Sequence, residues 1–235
     1  MPAAGLLPQL FGDRAAAVEA YVDLLCTAGV RRGLIGPREP ERIWHRHVLN
    51  CVAVAPLFGP SGTVCDVGSG AGLPGLVIAL ARPDLHLTLL EPLQRRVDFL
   101  QEAVRLLAAP NVTVLRGRAE HVVGEVRADA VTSRAVARLD VLASWCLPLL
   151  VPGGELVALK GAHAQDEVRD CARALAELGV TSVHVETHGG RFVQPPTTVV
   201  RLQSPGHPTG REEQPHAWDG SSGRPRLPGA ASSGR

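Results

Sequence analysis

The sequence predicts an α/β fold built on a doubly wound, mostly parallel seven-stranded sheet with an antiparallel last strand and helices ahead of the first strand. Three observations carry this. From residue 63, short apolar runs alternate with stretches of helical periodicity. A glycine-rich turn follows the first of those runs, at the junction of strand and helix. The last connection, 188–196, is too short and too rich in Gly and Pro for a crossover helix, which makes the final two strands an antiparallel pair. A chain of 235 residues that is 45% hydrophobic supports one substantial core with appendages.

The elements follow in order. Residues 1–60 read as a helical extension: Val18, Tyr21, Val22 and Leu25 form one stripe behind an expected Asp13 cap, and Trp44, His47, Val48, Cys51, Val52 and Ala55 form a second after Pro40. Arg31, Arg32, Arg38, Arg42 and Arg46 lie between or on these helices, partly offset by Glu39 and Glu41. Residues 61–202 are expected to form one α/β domain. Strands are expected at 63–67, 86–90, 112–115, 128–132, 154–159, 180–187 and 197–202, with helices at 73–82, 93–107, 138–150 and 163–178. The segment 203–235, a mixture of Pro, Gly, Ser and Arg, is expected to be a disordered polar tail.

Composition excludes several classes. The five cysteines are odd in number, scattered and without metal-ligand spacing, so no metal is expected and the thiols read as free in a reducing compartment. No apolar run approaches the ~20 residues of a membrane helix, and no leader pattern opens the chain; a cytoplasmic protein with no membrane partner is expected. With a formal charge of +1, any nucleic acid must be held by a local patch. Lys160 is the only lysine among 24 basic residues, a bias that codon usage in a GC-rich genome explains, so arginine counts alone do not indicate RNA binding. Nothing signals an oligomer, and a monomer is expected.

The turn Asp66-Val67-Gly68-Ser69-Gly70-Ala71-Gly72 narrows the chemistry. A dinucleotide fingerprint carries its third glycine where Leu73 stands, and a phosphate loop ends in Gly-Lys-Ser/Thr, which is absent. The spacing Asp-x-Gly-x-Gly-x-Gly fits S-adenosylmethionine (SAM), whose methionine carboxylate suits amides near a helix N-terminus. Glu91 ends the second strand nineteen residues beyond Gly72, where a carboxylate accepts hydrogen bonds from both ribose hydroxyls. Ala119 and Glu120, past the third strand, are placed to meet adenine. Asp66 either orients the loop or approaches the ligand's amino group. The fold is therefore expected to be the Rossmann-like class I SAM-dependent methyltransferase architecture.

Four ordered motifs add a resemblance. Trp44-His45-Arg46-His47-Val48-Leu49-Asn50-Cys51, the glycine loop continued through Leu73-Pro74-Gly75, Thr132-Ser133-Arg134-Ala135-Val136-Ala137 and Val157-Ala158-Leu159-Lys160-Gly161 closely resemble the RsmG (GidB) family of ribosomal RNA methyltransferases, over roughly residues 10 to 202. The resemblance implies methyl transfer from SAM to N7 of one guanine in the decoding-region loop of 16S rRNA, with free 16S rRNA or the 30S subunit as partner. By motif match it makes Gly68, Leu73, Ala119, Glu120 and Arg134 cofactor contacts; Gly70 belongs to the same loop. Two positions depart from the family: Asn50 stands where many members have Asp, and the usual basic C-terminal segment is not visible after Leu202.

Guanine N7 carries an in-plane lone pair and no proton, so its methylation requires no general base, and no catalytic residue is named. Alignment of the reactants is the main task. Arg46, Arg138 and Lys160 are the candidates for RNA contact, with Arg134 beside the cofactor; Trp44 and His47, on an apolar stripe, read as packing residues. The competing readings are a SAM-dependent methyltransferase of a small molecule or protein, a SAM-keeping ribosome-binding protein without turnover, and an NAD-dependent oxidoreductase, which Leu73 disfavours.

Overall fold

A computed structural model describes residues 2–134 and 136–205. Its centre is a seven-stranded sheet in the order β3-β2-β1-β4-β5-β7-β6, formed by β1 (Thr63–Val67), β2 (His86–Glu91), β3 (Val112–Arg116), β4 (Ala128–Arg134), β5 (Leu150–Lys160), β6 (Ser182–His188) and β7 (Thr197–Gln203). Strands β1 to β5 pair in parallel, and β7 runs antiparallel to both β5 and β6. The mixed sheet is the one the sequence predicts.

Near-continuous apolar runs are what a strand covered on both faces requires, and β1 and β2 are buried along almost their whole length. One face is covered by α4 (Gly75–Ala81) and α5 (Gln94–Leu106), the other by α6 (Leu139–Cys146) and α7 (Ala164–Glu177). The N-terminal helices α1 (Leu6–Phe11) and α2 (Ala15–Leu24) pack into the same cluster as α4 and α5, with Val18, Tyr21 and Leu25 beside Leu76, Ile78 and Phe99. A widened helical turn, Ile43–Val48, leads into α3 (Leu49–Val52), and the second stripe is buried at Trp44, Val48, Cys51 and Val52.

Four local differences from the expected elements stand out. Asp13 does not cap α2: it sits within a 3-10 turn, Gly12–Arg14, so Arg14 holds the cap position and makes no side-chain cap bond. The helix expected over 138–150 stops at Cys146, because Pro148 cannot supply the amide that continues it. Strand β5 starts at Leu150, four residues earlier than expected, with Gly153 in a left-handed conformation. Residues 203–205 are not tail: Gln203 closes β7, and the Ser204 amide donates to the Gly154 carbonyl at 2.9 Å. The remainder of the expected disordered segment, 206–235, lies outside the described residues.

Candidate functional site

The strand order reverses between β1 and β4, and the carboxyl ends of β1 to β4 open on one crevice, the position where sheets of this kind bind ligands. The glycine loop leaves β1 there. Gly68, Gly70 and Gly72 all take left-handed φ values of 73°, 59° and 98°, which explains why three glycines alternate. The loop is pinned to β2 by the amides of Gly68 and Ser69, which donate to the Leu90 carbonyl at 2.9 and 3.2 Å.

Two carboxylates set the loop's shape from different sides. Glu91 Oε2 accepts the Gly70 amide at 3.0 Å and its Oε1 accepts the Leu93 amide at 3.0 Å, with Arg96 Nη1 3.5 Å away. Asp66 lies beneath: Oδ2 accepts the Gly75 amide at 3.0 Å, so this carboxylate ties the start of α4 to the end of β1. Burial pushes the Asp66 carboxyl up to about 7, against the hydrogen bond from Gly75 and the pull of Arg134. Its Oδ1 is buried without a hydrogen-bond partner among the described residues.

A third anchor comes from the N-terminal extension. Tyr21, fully buried in α2, donates from its hydroxyl to the Ala71 carbonyl at 2.6 Å. The hydroxyl lies against Gly72, where an added Cβ would approach it to 2.8 Å. Tyr21→Phe keeps the ring and removes the donor, leaving the buried carbonyl unpaired. The expected result is a loss of about 1–3 kcal/mol of stability, read as a lower urea midpoint; an unchanged midpoint would show that the bond contributes nothing.

These elements enclose a cavity of about 540 Å³, within the range of small-ligand sites. Its walls include Gly68, Gly70 and Leu73 from the loop, Glu91 from β2, Ala119 and Glu120 beyond β3, and Arg134 at the end of β4. The sequence-based cofactor candidates thus converge on one space, with one exception. Asp66 is completely buried and does not line the cavity; its side chain points under α4, which favours loop orientation over contact with a ligand's amino group. Walls that the sequence did not single out come from Leu34, Ile35, Arg96, Arg118 and Trp145. No local motif marks them, since they reach the crevice from separate elements.

The RNA-contact candidates stand elsewhere. Arg46 is exposed, 3.7 Å from Glu39, and does not line the cavity. Arg138 is exposed and paired with Asp140. Lys160 is not a free cation: its Nζ donates to the Ala137 carbonyl at 2.9 Å and to Glu167 at 2.8 Å, and Glu167 also accepts the Leu139 amide at 2.7 Å. The lysine therefore ties β5 to the N-terminus of α6 and to α7. Lys160→Ala is expected to cost about 1–3 kcal/mol of stability by stripping a partly buried carboxylate of its partner. An undiminished melting temperature together with weakened RNA binding would reinstate it as an RNA ligand.

His47 is half-buried rather than fully satisfied. Its Nε2 lies 2.6 Å from Glu39 Oε2, while Nδ1 is buried with no partner among the described residues. Burial lowers its pKa and the Glu39 bond opposes that effect. Trp44 is buried as packing. Asn50 bridges elements through Nδ2 to the His45 and Arg46 carbonyls and through Oδ1, which accepts from Thr197 at 2.6 Å. All five cysteines are free thiols, and no metal-binding cluster occurs among the described residues. No described helix is long and apolar enough to cross a membrane.

Comparison with known proteins decides the family. The profile of the GidB family, described as rRNA small subunit methyltransferase G, matches residues 14–194. The chain belongs to the GidB family. A ribosomal RNA small subunit methyltransferase G from Salinispora tropica is 57% identical over 200 residues, covering 82% of this chain and 83% of its own. One of the same name from Streptomyces avermitilis is 52% identical over 209 residues, covering 87% and 88%. The GidB fold also matches more distant solved structures. A putative SAM-dependent methyltransferase from Methanococcus maripaludis aligns with TM-score 0.54 at 12% identity over 83% of this chain and 95% of that one. A SAM-dependent O-methyltransferase from Thermotoga maritima aligns with TM-score 0.54 at 15% identity over 82% and 73%. A GidB methyltransferase on this fold and with this loop takes SAM as its methyl donor.

Proposed function

We propose that this protein methylates N7 of a guanine in the decoding-region loop of 16S rRNA. The single observation that carries the reading is the convergence of the loop, Glu91, Ala119-Glu120 and Arg134 on one cavity in a chain whose relatives are named ribosomal RNA small subunit methyltransferases. The guanine N7 and its location come from the sequence resemblance.

The cavity fits the cofactor. Its volume suits a nucleoside with an amino-acid arm, and the left-handed glycines present backbone with no side chain where the arm would lie. Each Glu91 oxygen accepts one amide and has a further lone pair for a ribose hydroxyl. The adenine would sit toward Ala119 and Glu120, with Arg134 in the wall at the end of β4. SAM supplies, when bound, an electrophilic methyl group on a cationic sulfur. The protein's own contribution is alignment: Asp66 and Tyr21 hold the loop, and the loop and Glu91 define where the cofactor lies relative to the mouth. N7 has no proton to remove, so the carboxylates in the cavity wall need no base role.

The test is incubation with methyl-labelled SAM and either 30S subunits or naked 16S rRNA lacking the modification. Label recovered as 7-methylguanosine is the expected outcome. SAM binding with no transfer to either RNA would sink the proposal in favour of a ribosome-binding protein without turnover.

A further inference from the structure

None of Arg46, Arg138 and Lys160 lines the cavity, and Arg138 and Lys160 are committed to carboxylates. The segment 31–46 offers a different surface. Leu34 and Ile35 form part of the cavity wall, and Arg31, Arg38 and Arg42 flank them in the chain. Arg31, Arg38 and Arg42 are exposed there and make no ion pair among the described residues. Their neighbours differ: Arg32 is drawn to Glu102 at 2.7 Å and lies over the Phe99 ring, and Arg46 leans toward Glu39.

Charge arithmetic separates this segment from the rest. Five arginines less Glu39 and Glu41 leave +3 within 31–46, whereas the whole chain carries +1, so the remainder is −2. Glu39, moreover, is engaged by His47 at 2.6 Å and is held below its ordinary pKa by that bond. The cavity wall adds Arg96, Arg118 and Arg134, opposed by exposed Glu120 and by Glu91, which accepts two amides and lies 3.5 Å from Arg96.

Positive charge in the cavity wall and on the segment that contributes Leu34 and Ile35 to it, in an otherwise slightly acidic molecule, suits a polyanion that crosses the cavity. We infer that Arg31, Arg38 and Arg42 bind the phosphate backbone of the RNA substrate and hold the strand across the cofactor cavity. This rests on the rRNA reading proposed above. The contact is electrostatic and non-sequence-specific, and selection of the base falls to the cavity itself.

The test compares R31A/R38A/R42A with a control of equal charge change, R105A/R169A/R173A, whose arginines do not line the cavity. Binding of unmodified 16S rRNA is measured against salt concentration, alongside methyl transfer and SAM affinity by calorimetry. The R31A/R38A/R42A variant is expected to bind RNA roughly tenfold or more weakly, with a log–log salt slope shallower by about 2 if three phosphates of a single strand are released. SAM affinity should match the parent, and the control should match the parent throughout. An R31A/R38A/R42A variant with the parent's salt slope and transfer rate would overturn the inference while leaving the methyltransferase reading intact. A parent protein that neither binds nor methylates the RNA would end both, and binding to anionic phospholipid vesicles instead of RNA would assign the arginines to a membrane surface.

Discussion

Replacing Glu91 with alanine is expected to weaken SAM binding by about 1–3 kcal/mol, roughly 5- to 150-fold in affinity. The loss has two sources. Glu91 is fully buried and accepts the amides of Gly70 and Leu93, so its removal frees the loop at the point where it faces the cavity. It also removes the acceptor placed for the ribose hydroxyls. Calorimetry on the purified variant measures the sum, and Glu91→Gln separates the parts because the amide retains one carbonyl acceptor. Unchanged SAM affinity in the alanine variant would remove Glu91 from the site altogether.

The second large effect is on stability as a function of pH. The Asp66 carboxyl has an ordinary value of 3.8 and is raised to about 7 in the folded protein, mainly by burial. The folded state therefore holds this proton more tightly than the unfolded state, and stability is highest below the ordinary value. It falls as pH rises from about 4 to 7 and levels off above, a total of about 4 kcal/mol from this group. Asp66→Asn keeps an oxygen for the Gly75 amide and removes the titration, so the difference in stability between parent and variant should change sign or magnitude across that window. Urea midpoints taken at pH 5, 6, 7 and 8 read it out. The same slope in both proteins would show that Asp66 is ionised throughout.

The sheet was legible because its physics is local. Val64–Val67 and Leu87–Leu90 are largely apolar runs short enough for strands, and glycines at 68, 70 and 72 mark a backbone that only glycine adopts easily. The placement of Asp66 was also legible, in a signal that the loop motif obscured. Side chains alternate along a strand: Val64 belongs to the core under α4 and Cys65 and Val67 to the opposite one, so Asp66 falls on the α4 side, away from the crevice. Tyr21 gave no such sign. Its partner Ala71 is fifty positions away, and its place in an apolar stripe is the same whether or not its hydroxyl meets a carbonyl. The Lys160 contacts were not legible, since its place after a strand is the same whether its ammonium is free or paired. The answer lay in Glu167, which approaches only after α7 has packed on the sheet.

The position of β7 between β5 and β6 bears on how the molecule is made. A nascent chain that has emerged only as far as His188 holds β6 without its partner, because among the described residues β7 is the only strand that pairs with β6. Strand β5 is at that moment an open edge beside β4, presenting an unmatched ladder of amides and carbonyls. Arrival of Thr197–Gln203 satisfies both at once, filling the gap like a zip closed from its middle. Until those seven residues appear, the half-made protein is an adhesive surface.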